Sequence, residues 1–382
     1  MTIENIGWSL GNYCNARCKH CYSWRTRKGS ASLTEEEIGR IIDQIARSGV
    51  KTVNLGGNEP IYTDGPDIAA SKLPTIIESL AARGIAVGIT TNGVTAVELA
   101  RRWPETFKKV NDWDVSLDSP YRDEHNANRR ADLYDTALEA LTLCSRAGKP
   151  KAIIACGMQW NLDEHHLAGF LDLARAYDAE LRINTLKPTE AHHARDLPSP
   201  RQYYAAFSYL LGRTDGVVIG ESTLAAMTDK AARGCPCGVA SLRIHSKTPE
   251  GTVPVSPCVY LADLKSGDLL RDDLETIVAS EQFACMRRRN EKTPDSCTGC
   301  QLRERCRGGC AARAYLVRGS LDARDPYCPL EAKDAGIEIP YLPEIVVGHD
   351  GVRVHENYLC TWIGRPKPDE NGRADAALPE AA

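Results

Sequence analysis

Three cysteines stand close together near the start of the chain, Cys14-x3-Cys18-x2-Cys21, after the apolar run Ile6-Gly7-Trp8-Ser9-Leu10. A thiolate is a soft anionic donor suited to iron and zinc. Three such donors in one loop fall one short of a closed tetrahedral zinc site, whereas a 4Fe-4S cluster held by three cysteines keeps one iron open to a substrate or cofactor. A second set is denser: Cys297-x2-Cys300-x5-Cys306-x3-Cys310-x17-Cys328, with Cys235, Cys237 and Cys258 upstream. Those thiols suffice for two clusters of four, and one or two zinc sites are the other reading this spacing allows. The chain has 15 cysteines, an odd number in 382 residues, so a disulfide framework is a poor default. Cys144, Cys156, Cys285 and Cys360 lie outside both sets. Cys144 falls in a helical pattern and Cys156 at a strand end, and buried free cysteines commonly act as small apolar fillers.

These loops need a frame, and the pattern from Trp8 to about Pro188 supplies one. Short β-rich runs alternate with helical stretches, as in a parallel sheet with crossover helices. The runs are Val50–Leu55, Ala86–Thr91, Asp114–Leu117, Lys151–Cys156 and Glu180–Asn184. The helix between the first cysteines and the first of these runs has clear punctuation. Ser32 or Thr34 can cap it, Glu35, Glu36 and Glu37 suit its positive end, Ile38, Ile41, Ile42 and Ile45 form its apolar face, and Gly49 lies just past its end. The periodicity breaks between Pro188 and Pro200, and a helical segment follows over 201–211. From Arg365 onward the chain is rich in Pro, Asp, Glu, Gly and Ala, which predicts a disordered tail.

With 47 basic against 51 acidic residues the net charge is -4, so the totals point to neither a nucleic-acid nor a membrane partner. The N-terminus lacks a basic start and an apolar run, and no apolar stretch of about 18 residues occurs. A cytoplasmic protein is expected.

The first motif, Cys14-Asn-Ala-Arg-Cys18-Lys-His20-Cys21, resembles the signature of the radical S-adenosylmethionine superfamily, with His20 at the position of an aromatic residue. In that family the open iron binds the amino and carboxylate groups of S-adenosylmethionine, and an electron from the cluster cleaves the sulfonium to a 5'-deoxyadenosyl radical that abstracts a substrate hydrogen. Supporting motifs follow at the strand ends. Gly57-Asn58-Glu59-Pro60 resembles the family's Gly-Gly-Glu-Pro segment, with Asn58 in place of the second glycine and Glu59 as carboxylate for the cofactor's ammonium. Thr91-Asn92-Gly93 ends the next strand, and Ser116-Leu117-Asp118 followed by His125-x3-Arg129 resembles the family's fourth-strand segment. The resemblance implies that Ser116 and Arg129 meet the ribose and carboxylate of the cofactor. An exposed helix arginine, an ordinary turn at 91–93 and a surface His125 are the plainer alternatives.

The second cysteine set resembles the SPASM extension of the same superfamily, so the likeness covers roughly residues 6–330. It implies one auxiliary 4Fe-4S cluster on Cys235, Cys237, Cys258 and Cys310, and another on Cys297, Cys300, Cys306 and Cys328. Cys235-Pro-Cys237 is an unusually tight pair, which leaves open whether both thiols bind iron. Where sulfatase-maturing relatives place an aspartate after the second upstream cysteine, this chain has Val259, which disfavours that mechanism. Tyr260 and Lys187 are then the candidates for catalytic side chains, with Tyr260 as a packing residue the alternative. Gln159, Asn161, Asn184 and Glu190 are further candidates for substrate contact at the mouth.

The fold expected is α/β: a partial (β/α)6 TIM-like barrel over 6–190, a linker or helical bridge over 191–233, a cysteine-rich SPASM domain over 234–330, a C-terminal extension over 331–364 and the tail over 365–382. The resemblance implies a ribosomally made peptide as substrate, cross-linked or oxidised. A small metabolite, and a non-enzymatic iron-sulfur or zinc protein, are the other classes. Cys14 stands too near Met1 for an N-terminal leader-binding module, so a separate leader-peptide-binding protein is expected, with flavodoxin or ferredoxin as reductant.

Overall fold

Strand β1 (Asn5–Leu10) is buried along its whole length, with Ile6, Trp8 and Leu10 in the core. A strand covered on both faces is expected inside a parallel sheet flanked by helices. The computed structural model describes residues 3–24, 30–228, 234–342, 344 and 359–368. Five more parallel strands follow in sequence and in space: β2 (Thr52–Gly57), β3 (Ala86–Thr91), β4 (Asp112–Ser116), β5 (Lys151–Gly157) and β6 (Glu180–Thr185). Between them run α1 (Glu35–Arg47), α2 (Leu73–Ala82), α3 (Val94–Arg102) with the short α4 (Pro104–Lys109), α5 (Arg122–Arg129) with α6 (Tyr134–Arg146), and α7 (Glu164–Ala176). This is the partial (β/α)6 barrel, and its carboxyl ends carry the motifs.

Local signals explain the elements. Thr34 and Glu37 form a reciprocal capping box on α1: the Glu37 amide donates to Thr34 Oγ1 at 3.2 Å and the Thr34 amide to Glu37 Oε2 at 2.8 Å. The four isoleucines of α1 are buried, and Gly49 ends the turn beyond it at φ +72°. Strand β2 runs two residues further than the β-rich run, because Gly56 and Gly57 stay in register with Ser9 and Leu10 of β1.

The sheet is larger than the six-stranded frame. Its order is β7-β10-β6-β5-β4-β3-β2-β1-β8-β9. The stretch expected as a linker supplies α8 (Pro200–Arg213) and β7 (Thr214–Ile219), and the cysteine-rich region supplies β8 (Ser241–Ile244), parallel to β1, and β9 (Val255–Ser256). Strand β10 (Trp362–Pro366) lies antiparallel between β6 and β7, with Trp362 opposite both Ile183 and Ile219. Arg365 and Pro366, expected to open a disordered tail, pair with Asp215 and Thr214 in that strand. Their side-chain composition reads as tail, but the backbone hydrogen bonds of β7 hold them. Residues 369–382 of the expected tail lie outside the described residues. Among the described residues no helix is long and apolar enough to cross a membrane.

Candidate functional site

The carboxyl ends of β2–β6, with the loop after β1, surround an inner cavity lined by Cys14, Cys18 and Cys21 and by residues from each of those five strands. The cysteine loop is fastened at several points. The amides of Arg17 and Lys19 donate to the carbonyls of Arg129 and Asn128 at 3.1 and 3.0 Å, and Asn92 Nδ2 donates to Asn15 Oδ1 at 2.8 Å. Gly11, at φ +79°, turns the chain out of β1, and a Cβ there would stand 2.6 Å from the Tyr62 carbonyl oxygen. Burial pushes the Cys18 thiol up to about 12, against the pull of Arg129, whose Nη1 lies 3.8 Å from Cys18 Sγ. An iron ion bound to that thiolate would supply the positive charge that burial demands.

The β2 segment meets the loop from one side. Gly57 takes φ +100°, and a Cβ would sit 2.7 Å from Ser9 Oγ and 2.9 Å from Arg243 Nη2, so no larger residue fits. Asn58, which departs from the glycine of the resembled motif, is not among the positive-φ residues. Its side chain instead ties the segment together, with Nδ2 donating to the Gly11 carbonyl at 2.9 Å and Oδ1 accepting from Ser23 Oγ at 3.4 Å. Glu59 is buried and faces the start of α3. Its Oε1 accepts from the hydroxyls of Thr91 and Thr95 and from the Thr95 amide, and its Oε2 accepts from the Asn92 amide at 2.9 Å. Burial raises its pKa, although these four donors oppose the rise. The carboxylate therefore caps α3 and holds Thr91 and Asn92 in place, while Oε2, with one donor, retains acceptor capacity toward the cavity.

From the opposite side, Asp118 gathers the β4 motif. It is fully buried, with Arg129 Nε 2.6 Å away, Asn128 Nδ2 donating at 2.9 Å and His20 Nε2 at 3.7 Å. Burial works against its charge, but Arg129, His20 and His125 hold its carboxyl well below the usual range. Arg129, where the plainer alternative was an exposed helix residue, is 8% exposed and stands between Asp118 and Cys18. His125 is not on the surface either: its Nδ1 accepts from the Asp118 amide at 3.1 Å, and burial lowers its pKa to about 4. Ser116 lines the cavity. So do Thr185, whose buried hydroxyl has no hydrogen-bond partner among the described residues, and Asn184.

Sequence-based candidates divide here. Lys187 and Tyr260 both line the cavity. Tyr260 accepts from Asn184 Nδ2 at 2.7 Å, and burial holds its hydroxyl well above the ordinary pKa. Lys187 Nζ donates to Asn184 Oδ1 at 2.8 Å and to the Cys360 carbonyl at 3.0 Å, with Glu221 at 3.5 Å. Burial opposes its charge, but Glu221 and neighbouring thiols raise its pKa, so it is a fixed cation rather than a base. Asn161 is committed to a turn, donating to the Asp118 and Cys156 carbonyls, and neither it nor Gln159 lines the cavity. Glu190 lines an adjacent outer groove instead, with Thr189, Glu250, Lys265 and Tyr315. The groove and the cavity share Tyr22 and Tyr260 as a wall.

The wall of the cavity also holds residues that no motif marked. Asp114 and Arg182 form a buried ion pair at 2.7 Å, and Arg243 Nε donates to Ser9 Oγ at 2.8 Å. Each is a charged residue inside a strand, an anomaly for a doubly covered sheet that the sequence pattern alone displays.

The second cysteine set divides spatially. Cys297, Cys300, Cys306 and Cys328 lie near one another beside Arg324 and Asp325. Cys235, Cys237, Cys258 and Cys310 share a buried cluster with Val259, Tyr260 and Leu261, and Cys360 belongs to the same cluster. Between the two sets, Arg313 is fully buried and forked onto two carboxylates, with Nη1 and Nη2 donating to Glu221 at 3.0 and 2.9 Å and Nε and Nη2 to Asp325 at 3.0 and 2.7 Å. Asp325 Oδ2 also accepts from the Cys310 amide at 2.7 Å. Tetrahedral zinc draws its donors to about 2.3 Å from one centre. Among the described residues no group of three or more histidine, cysteine, aspartate or glutamate side chains converges as the ligand set of a single metal ion.

Two family models match the chain: that of the Radical SAM superfamily over residues 8–171, and that of the SPASM iron-sulfur cluster-binding domain over 235–301. Mycofactocin maturase MftC of Mycolicibacterium smegmatis is 28% identical over 85% of this chain and 82% of its own length. PqqA peptide cyclase of Granulibacter bethesdensis is 24% identical over 84% of this chain and 86% of its own length. Among solved structures, native anSMEcpe with bound AdoMet and Cp18Cys peptide superposes with a TM-score of 0.63, covering 86% of this chain and 95% of that one at 15% identity, a likeness of fold.

Proposed function

The chain belongs to the radical S-adenosylmethionine superfamily and carries its SPASM iron-sulfur domain, and from that premise we propose that it abstracts hydrogen from a ribosomally made peptide and so cross-links or oxidises it. The observation that carries the peptide reading is the outer groove, which runs along the cysteine-rich region and meets the inner cavity at Tyr22 and Tyr260. An extended segment lying in the groove could turn one side chain inward past that wall. The names of two relatives, a maturase and a peptide cyclase, support the same reading.

4Fe-4S clusters and S-adenosylmethionine are the cofactors. On our reading Cys14, Cys18 and Cys21 bind three irons of the cluster in the inner cavity, and two further clusters sit on the second cysteine set. When bound, the first cluster and S-adenosylmethionine supply the 5'-deoxyadenosyl radical that takes a substrate hydrogen. The chain's own residues bind and orient. Glu59 would hold the cofactor's ammonium with Oε2, while Thr91 and Asn92 keep that carboxylate from turning away. Arg129, held by Asp118, presents positive charge beside Cys18 and toward the cofactor's carboxylate, and Ser116 and Thr185 offer hydroxyls. Asn184 fixes Tyr260 at the cavity's edge, where its ring would separate the cofactor site from the groove until substrate enters. Lys187 acts as a positioning residue, its ammonium anchored between barrel and cysteine-rich region.

A one-electron donor of the flavodoxin or ferredoxin class would serve as reductant, and a separate protein would hold the peptide's leader. The test is anaerobic reconstitution with iron and sulfide, then dithionite, S-adenosylmethionine and a panel of candidate precursor peptides, read by mass spectrometry. Formation of 5'-deoxyadenosine that Cys14→Ala abolishes, together with a mass loss in one peptide, is the expected result. Deoxyadenosine formed with a small metabolite as the sole substrate turned over would overturn the peptide assignment.

A further inference from the structure

Cys360 lies 32 residues beyond the last cysteine of the dense array, yet it is 2% exposed and packed among Cys235, Cys237, Cys258 and Cys310. The thiols neighbour one another in series: Cys237 stands beside Cys258 and Cys235, and Cys360 beside Cys235 and Cys310. A residue acting as an apolar filler would be surrounded by carbon; this one faces thiols.

Its backbone is fixed from three sides. The Gly220 amide at the end of β7 donates to the Thr361 carbonyl at 2.8 Å, Thr361 Oγ1 donates to the Ile183 carbonyl of β6 at 3.0 Å, and Lys187 Nζ donates to the Cys360 carbonyl itself at 3.0 Å. Gly220 must be glycine for this approach, since a Cβ would stand 2.7 Å from the Thr361 oxygen. The chain is thus built to deliver Cys360 to that spot.

A cubane cluster offers four irons, and five thiols surround this position. The Cys235-Pro236-Cys237 segment is tied at its second cysteine, which bridges to Ser241 at the start of β8, and the Gly238 amide donates to the Ser241 carbonyl at 2.7 Å. We propose that Cys360, carried to this place by the C-terminal strand, is a ligand of the first auxiliary cluster, so that one of the other four thiols stays off iron. The proposal rests on the presence of an auxiliary cluster at this site.

The test compares wild type, Cys360→Ala and Cys360→Ser after anaerobic reconstitution, reading iron and sulfide per chain and the electron paramagnetic resonance spectra of oxidised and reduced protein. Wild type should hold about twelve irons. Cys360→Ala should lose about four of them, or about one with a 3Fe-4S signal in the oxidised protein. Cys360→Ser guards against misfolding: an oxygen ligand should keep four irons and shift the spectrum and potential of one cluster, leaving the other two unchanged. Full iron with wild-type spectra in both Cys360 variants would overturn the proposal. About four irons in wild type would instead remove the auxiliary clusters on which the proposal rests.

Discussion

The ring of Tyr22 meets the ring of Tyr260 edge to face, with centroids 5.3 Å apart and planes at 71°. Tyr22 follows the last cysteine of the first motif, and Tyr260 lies two residues after Cys258, so the pair joins the two cluster regions as well as dividing cavity from groove. Such a contact contributes on the order of 1 kcal/mol beyond its buried area. Removing the Tyr260 ring while keeping the fold should therefore open the cavity. Tyr260→Ala is expected to raise 5'-deoxyadenosine formation in the absence of substrate severalfold, whereas Tyr260→Phe, which keeps the ring and loses the bond to Asn184, should stay near wild type in that assay. Equal uncoupled rates in all three proteins would show that the wall does not shield the radical.

Glu59 serves two neighbours at once, the first turn of α3 and the cavity. Glu59→Ala leaves buried donors of Thr91, Asn92 and Thr95 without an acceptor and should lower unfolding free energy by roughly 2–4 kcal/mol. Glu59→Gln, which keeps one oxygen, should be milder in stability yet weaken S-adenosylmethionine binding by about tenfold or more, the scale of a lost charge-assisted hydrogen bond. Urea titration and equilibrium dialysis separate the two effects. Unchanged cofactor affinity in the glutamine variant would make Glu59 a helix cap alone.

Arg313 neutralises Glu221 and Asp325 with no exposure to water. Replacing it by leucine strands buried Asp325 and leaves Glu221 with Lys187 alone, and should cost about 3–5 kcal/mol. Because Asp325 also receives the Cys310 amide, Arg313→Leu should reduce iron retention in the cysteine-rich region before it affects the first cluster. Iron analysis against urea concentration would reveal the order of loss.

His125 gives the protein a pH dependence of defined sign. Burial lowers its pKa from 6.5 to about 4, so the folded chain keeps it neutral while the unfolded chain takes up a proton as pH falls through about 6.5. Stability from this group is complete above about pH 6.5 and declines with acid down to about pH 4. Between pH 7.5 and 5.5 the wild type should lose about 1.4 kcal/mol more than His125→Gln, whose amide oxygen can still accept from the Asp118 amide. Parallel urea melts of the two proteins, free of iron, would show it; identical slopes would mean that His125 titrates alike in both states.

Most of the barrel could be read from the sequence because its signals are local. The β-rich runs at 86–91, 151–156 and 180–184 coincide with strands, and of the two caps the sequence offers, Ser32 and Thr34, it is Thr34 that caps the helix. The motif residues at the strand ends converge because a parallel barrel gathers all its carboxyl ends on one face. What escaped reading is nonlocal. Trp362-Ile-Gly-Arg-Pro is too short to announce a strand, and only the unpaired edges of β6 and β7 make it one. The motif marks Arg129, but the sequence leaves an exposed arginine beside Arg130 as the alternative, and only the fold shows the burial that separates them. Cys360 has no spacing relationship to the cysteines it joins, so its place depends on sheet topology that composition does not encode.

Strand β10 also sets an order on assembly. Its partners β6 and β7 are made long before it, and pairing of such distant segments is slow because the intervening chain must close as one loop. While residues up to 366 are still within the ribosome, β6 keeps an open edge next to β7, and the thiol pocket lacks one wall. Iron and sulfide delivered to that nascent chain would meet an incomplete site. Loading of the cysteine-rich region should therefore follow emergence of β10, and cells that outpace folding during overproduction should accumulate protein whose first cluster is filled and whose auxiliary sites are not.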